Sequence, residues 1–325
     1  MNSRCVRPPD QVLRWLRYQH QQPKPLPRKP VDFHRRPPYP SRPHKPAKQE
    51  EPVTVCIAIS CDCYQGPAVI PKFVLIADRM LSTVTSSTQV GIKIRGLATG
   101  WYAMFAGNDV SMVENIGNTA ASALAKTGAP TSLEVSQEMR KAYQYNRRKQ
   151  IRDLYLSTYD WEIDYFLQHG RGLLGDADFS SLRYQIDQFD LNCSFLVCGF
   201  NNPQSVTPMI FGVSNPGVAT PQMLTGYSAI GSGASNALSY LDWRKQSWST
   251  SLWDSLYNGI AAKSLAETAL GVGAGTTALI YERGANSARY LTSEEITDIK
   301  QMWSLEEANV RPIDLKARIF RILKL

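Results

Sequence analysis

The chain has 325 residues, 43% of them hydrophobic, enough for one large or two small globular domains with a substantial core. Its formal net charge of +8 would suit a nucleic-acid binder, but all of it lies in residues 1–52, where 12 Lys or Arg face only Asp10, Asp32, Glu50 and Glu51. From residue 53 onward 24 basic residues balance 24 acidic ones, and no apolar run is long enough for a membrane span or a secretory signal, so the expectation is a soluble, cytoplasmic protein.

Residues 1–52 also hold 12 of the 20 prolines, including Pro37, Pro38, Pro40, Pro43 and Pro46, with few aliphatic residues between them. Such a stretch cannot bury a core and is expected to be a disordered, extended arm, apart from a short helix around Val12 to Tyr18. It reads either as an arm that binds nucleic acid or a partner, or blandly as a disordered tail or a stretch that is no part of the mature protein. The second reading is the expectation, and nucleic acid is not expected as a partner. The six cysteines are too few and too irregular for a disulfide scaffold, and Cys61 and Cys63 lack a second pair at zinc-finger spacing, so neither a metal nor a cofactor is expected.

At Val53 the texture changes to a β-branched, apolar run, and the folded domain is expected to span 53–325. The first strand, Val53 to Ile59, and a second, Phe73 to Ala77, should form a hairpin with a long loop from Cys61 to Lys72. Further strands are expected at Gly91 to Ile94, Gly100 to Ala106, Ser194 to Phe200, Met209 to Val213, Tyr227 to Ile230 and Thr277 to Glu282. Helices are expected at Val110 to Lys126, from Thr131 with Glu134 at capping-box spacing, at Ala234 to Lys245 and at Leu252 to Leu270. Strands, helices, strands and helices in that order predict an α+β fold of two antiparallel sheets packed face to face and covered by helices. Ser157 to Asn192 shows no clear period.

Of the four histidines, His20, His34 and His44 lie in the arm, which leaves only His169 for a histidine-based mechanism. Gly271 to Gly275 lacks the Lys-Ser or Lys-Thr of a phosphate loop and reads as a helix end and turn. What remains is a nucleophile that carries its own base. A chain-terminal threonine does so, because its α-amino group titrates at about 7.7–8.0. Such a site needs a cation beside the hydroxyl, a carboxylate to position that cation, and a backbone donor for the oxyanion. Thr54, Lys93, Asp78 and Gly107 can supply these parts; Asp78 and Lys93 also read as a simple ion pair and Gly107 as a turn glycine.

An ordered set of motifs resembles the proteasome β subunits, the bacterial HslV peptidase and their bacterial relatives. Thr54-Val-Cys-Ile-Ala-Ile is similar to the mature start of a β subunit, and Leu75-Ile-Ala-Asp78-Arg79 to the second strand with its acidic residue. Lys93 follows 15 residues after Asp78, and Trp101-Tyr-Ala-Met-Phe-Ala-Gly107 resembles the strand whose last glycine forms the oxyanion hole. Ala229-Ile-Gly-Ser232-Gly-Ala resembles the Gly-Ser-Gly turn whose serine bonds near the nucleophile.

The resemblance implies a four-layer αββα sandwich of the N-terminal-nucleophile (Ntn) hydrolase type, a threonine peptidase or amidohydrolase, and a homo-oligomer. The family's later Asp and Ser, which brace the nucleophile, have no clear match; the stretch Leu270 to Thr277 offers only Thr276 and Thr277. Activity requires a free Thr54, reached either by cleavage after Val53, a poor substitute for the usual glycine, or by a true start at position 53. A retained arm would instead imply a catalytically inactive structural or assembly subunit.

Overall fold

The chain is apolar at every position from Val55 to Ile59, which suits a strand buried on both faces. In the computed structural model, which describes residues 54–65, 68–82, 87–88, 92–107, 109–201, 207–222, 224–282 and 288–310, this segment enters β1 (Cys56–Gln65). The expectations for the arm and for Val53 lie outside the described residues. β1 lies at the heart of a first antiparallel sheet. Its neighbours are β2 (Ala68–Asp78) and β10 (Tyr227–Ile230), with β11 (Thr276–Glu282) and then β12 (Arg289–Tyr290) beyond β2. The second antiparallel sheet runs in chain order through β5 (Ile94–Ala98), β6 (Trp101–Gly107), β7 (Cys193–Phe200), β8 (Pro208–Ser214) and β9 (Val218–Pro221). Two short strands, β3 (Leu81–Ser82) and β4 (Ser87–Thr88), pair separately.

The side-chain period of two splits each central strand between two cores. Cys56 and Ala58 of β1 face the second sheet, where they join Leu75, Met104, Leu196 and Leu279. Ile57 and Ile59 face the helices, packing with Leu241, Leu256 and Ile260. Those helices are α5 (Ala234–Trp243), α6 (Leu252–Ala266) and α7 (Ser293–Val310). On the far side, α1 (Val110–Leu124) and α2 (Ser132–Ile151) cover the second sheet, with Ile116 and Met139 against Phe195 and Val213. The result is the four-layer αββα sandwich.

The structure departs from the sequence reading in several places: the strand expected at Gly91 to Ile94 is instead Ile94–Ala98, and β9 and β12 were not expected. The loop expected from Cys61 to Lys72 is strand: β1 and β2 pair in unbroken register out to Gln65 and Ala68. Pro71 is tolerated there because β11 pairs with β2 only from Lys72 to Asp78, which leaves residue 71 on a sheet edge. The unassigned stretch is helical. α2 runs through a π turn (Arg152–Leu156) and a 3₁₀ turn (Ser157–Tyr159) into the hairpin α3 (Ile163–Leu174) and α4 (Asp176–Gln188). These two have their own small core of Phe166, Phe179 and Ile186 against Ile151 and Leu156. Finally, α7 was missed, although Thr292 and Glu295 form a capping box at its start, Glu295 N donating to Thr292 Oγ1 at 3.2 Å and Thr292 N to Glu295 Oε2 at 2.8 Å.

Candidate active site

Strand register alone brings Thr54, Asp78 and Ser232 together. Cys56 faces Ala77 across β1–β2 and Ile230 across β1–β10, so the residue two positions earlier, Thr54, is flanked by the end of β2 on one side and the turn after β10 on the other. Asp78 closes β2, its amide donating to Val55 O at 3.1 Å. Ser232 opens the turn before α5. Lys93 comes from the other sheet, immediately before β5.

The three polar side chains converge. Thr54 Oγ1 donates to Asp78 Oδ1 and accepts from Lys93 Nζ, and Lys93 Nζ lies 2.8 Å from Asp78 Oδ1. Thr54 is 1% exposed, Asp78 0% and Lys93 3%. Burial of this depth is tolerable only if the charges are paired and their remaining hydrogen-bonding capacity is filled. Asp78 meets that demand with backbone donors as well: Val55 N at 3.1 Å on Oδ1, and Met80 N at 3.1 Å and Gly273 N at 3.4 Å on Oδ2. A carboxylate held by three amides and an ammonium is fixed in orientation, and it fixes the lysine in turn.

Ser232 sits on the main chain of Thr54. Its Oγ accepts from Thr54 N at 3.3 Å and lies 3.4 Å from Thr54 O, which also takes the Gly233 amide at 3.1 Å. Gly231, at φ +95°, allows this approach: a Cβ there would fall 2.3 Å from Thr54 O. Gly107 ends β6 opposite Cys193, packed so closely that a Cβ would meet the Cys193 Cβ at 2.8 Å. The end of β6 is tied to the start of β1 where the Cys56 thiol donates to Phe105 O at 3.3 Å. Burial pushes that thiol up to about 12, the Lys93 cation only partly offsetting it, so Cys56 stays protonated and is no competing nucleophile. His169 is remote from this cluster, exposed on α3 against Tyr165.

One group escaped the sequence reading. Lys263 of α6 is 0% exposed and points at the loop behind Asp78, donating to Gly273 O at 2.7 Å and Ala274 O at 3.1 Å and pairing with Glu267. Lys300 of α7 reaches the same Glu267 at 2.7 Å and Ala274 O at 3.0 Å. Burial lowers Lys263 to about 8, against the opposing pull of Glu267. The only sequence signal was the i,i+4 Lys–Glu spacing, which usually marks a solvated helix face. Among the described residues no group of three or more His, Cys, Asp or Glu could hold a metal ion, and no helix is long and apolar enough to cross a membrane.

Comparison with solved structures gives the architecture its relatives. The chain is similar to "Anbu (ancestral beta-subunit)" from Yersinia bercovieri, with a TM-score of 0.55 and 14% identity over 79% of this chain and 95% of that one. It is likewise similar to an Anbu (Gly-1) mutant from Hyphomicrobium sp. strain MC1, with a TM-score of 0.52 and 14% identity over 80% and 97%. The fold is that of Anbu. It is the αββα sandwich of the Ntn type expected from the sequence, but the comparison corrects the resemblance on which that expectation was built. These neighbours are Anbu, a proteasome-like fold but a distinct family from the proteasome β subunits and HslV. The motifs misled on this point because an acid at the end of β2 and a glycine at the end of β6 are positions set by strand geometry, which different families on one fold can share. No family model and no curated protein sequence matches the chain.

Proposed function

We propose that this protein is a threonine-type N-terminal-nucleophile hydrolase that cleaves peptide or other amide bonds once Thr54 is the chain start. The observation that carries the reading is the convergence of Lys93 Nζ and Asp78 Oδ1 on Thr54 Oγ1 in a site nearly closed to water. A lysine ammonium beside the hydroxyl favours its ionised form, and Asp78 keeps the ammonium in position. The free amine of Thr54 would titrate at about 7.7–8.0, within reach of neutral pH as a proton acceptor.

In this mechanism the Thr54 hydroxyl gives its proton to the Thr54 amine as its oxygen bonds to the amide carbonyl carbon. The carbonyl π pair moves onto oxygen, where the Gly107 amide stabilises it. Collapse breaks the C–N bond, the leaving amine takes the proton from the Thr54 ammonium, and an acyl ester remains on Oγ1. Water, deprotonated by the same amine, then hydrolyses the ester. Ser232, by accepting from Thr54 N, would hold the amine in line. A small, mostly apolar cavity of about 130 Å³ between β5, β6 and α1, lined by Leu97, Phe105 and Val113 with Arg95 beside them, is a recess that could seat a substrate side chain.

The protein is also proposed to form a homo-oligomer. Support comes from the similarity to the Yersinia protein, an ancestral beta-subunit by name, and from large apolar side chains left in solvent at Leu224, Trp243, Trp253 and Leu270. Light scattering on the purified protein tests it, a monomeric mass counting against it.

The deciding experiment is the N-terminal residue of the protein purified from its natural host, read by intact mass and terminal sequencing. The expected residue is Thr54, accompanied by hydrolysis of peptide amides that is lost in Thr54→Ala. An intact arm starting at Met1 would overturn the catalytic reading in favour of a non-catalytic subunit of the same fold.

A further inference from the structure

The loop from Gly271 to Gly275 closes over Asp78 without a polar side chain of its own: its residues are Gly, Val, Gly, Ala and Gly. Its one contact with the carboxylate is the Gly273 amide, 3.4 Å from Oδ2. Gly273 is pressed so tightly on Met80 that a Cβ would lie 2.6 Å from the Met80 Cβ, and Met80 N is itself a donor to Oδ2. A loop of this composition has little intrinsic order, because glycine loses the most conformational entropy on being fixed. Something must hold it, and the handle it offers is its carbonyls.

Two lysines take that handle. Lys263 binds the carbonyls of Gly273 and Ala274 from a fully buried position, Lys300 binds Ala274 from α7, and Glu267 joins the two ammonium groups. Lys263 and Asp78 thus sit on opposite sides of Gly273, the lysine on its carbonyl and the carboxylate on its amide. We propose that Lys263, steadied by Glu267 and Lys300, is a positioning residue that fixes Gly273 and through it the orientation of the Asp78 carboxylate toward Lys93 and Thr54. The assignment of a catalytic consequence rests on the hydrolase reading; the structural linkage does not.

The test therefore has two arms. In the full-length chain, amide hydrogen exchange at Gly273 and the carbon-13 chemical shift of the Asp78 carboxylate at fixed pH are followed in wild type and Lys263→Met. The expected result is exchange at Gly273 faster by about 10-fold or more and a changed Asp78 carboxylate shift, because one of its donors is released. In the processed protein carrying a free Thr54, kcat for a peptide amide is expected to fall about 10- to 100-fold with KM within about twofold. If Lys263→Met does not fold, Lys300→Met and Glu267→Gln, which loosen the clamp from its more exposed side, are expected to change Gly273 exchange and the Asp78 carboxylate shift in the same direction by a smaller factor. A folded Lys263→Met with unchanged Gly273 exchange and Asp78 carboxylate shift overturns the proposal, as does the same absence of effect in both outer variants. An inactive wild type would sink the hydrolase reading alone, and the exchange and chemical-shift results would still decide the linkage.

Discussion

Asp78 and Lys93 form an ion pair of 2.8 Å between the two sheets, the carboxylate at the end of β2 in the first and the ammonium just before β5 in the second. Both side chains are almost entirely withdrawn from water, at 0% and 3% exposure. Removing one partner of such a pair strands the other charge. Asp78→Ala is expected to destabilise the fold by about 3–5 kcal/mol, whereas Asp78→Asn combined with Lys93→Met should cost much less, because no charge is left buried alone. Denaturant unfolding of the single and double variants checks this; equal losses in the two would show that the packing of the site, and not the charge, sets the cost.

Thr54 is tested by two substitutions in the processed protein. Thr54→Ala removes the attacking oxygen and is expected to lower amide hydrolysis by on the order of 10⁴-fold or more, at a stability cost of about 1–3 kcal/mol because Lys93 and Asp78 lose a buried hydrogen-bond partner. Thr54→Ser retains hydroxyl and amine and is expected to keep measurable turnover, with the acyl intermediate detectable by mass. Equal activity in wild type and Thr54→Ala would assign hydrolysis to another group.

Gly231 is expected to be as sensitive as the polar residues it serves. Gly231→Ala places a Cβ 2.3 Å from Thr54 O on a backbone with φ +95°, so either the turn or Thr54 must move. A loss of roughly 1–3 kcal/mol follows, read as a fall in melting temperature. Hydrolysis should drop even where the variant is folded, because the displaced atom is two bonds from the nucleophile's Cα. A folded Gly231→Ala with full activity would contradict this account of the turn.

Alkaline stability should reflect two opposing sets of buried groups. Burial raises the thiols of Cys56 and Cys193 from 9.0 to about 12 and raises Cys198 as well. The folded chain keeps these protons when the unfolded chain has lost them, so the stabilisation is complete below pH 9 and is lost as pH climbs toward 12. Lys263 works the other way. Its folded pKa of about 8 lies below the ordinary 10.5, so the unfolded chain binds more protons between those values and stability gains roughly 3 kcal/mol across the window. Subtracting the pH–stability curve of Lys263→Met from that of wild type should expose this rise between pH 8 and 10.5. A flat difference would place the Lys263 ammonium at its ordinary pKa.

The elements carrying the candidate site were legible because each leaves a local mark. Val55 to Ile59 is uniformly apolar, Asp78 and Lys93 are charges set against β-branched runs, and Gly107 and Ser232 stand where a strand stops. The β1–β2 hairpin was misjudged because Pro71 usually breaks a strand, and only the sheet order reveals that it lies on an edge. Ser157 to Gln188 hid its helices because only one side of each meets a small core, leaving Tyr165, Leu167, Leu173 and Tyr184 exposed and the apolar period blurred. Lys263 could not be found at all from spacing. What distinguishes it is the pair of carbonyls at its tip, and those belong to a loop whose own sequence carries no polar side chain.

The contact between Thr54 N and Ser232 Oγ, described above for an amide nitrogen still in a peptide bond, bears on timing. The nitrogen already has its acceptor, and the hydroxyl already has its cation, while residues 1–53 remain attached. On the proposed reading the barrier to activity is then a single covalent bond and not a shape. Severing it would leave Thr54, Asp78, Lys93 and Ser232 already in place among the described residues, so turnover is expected to start in step with the newly exposed amine.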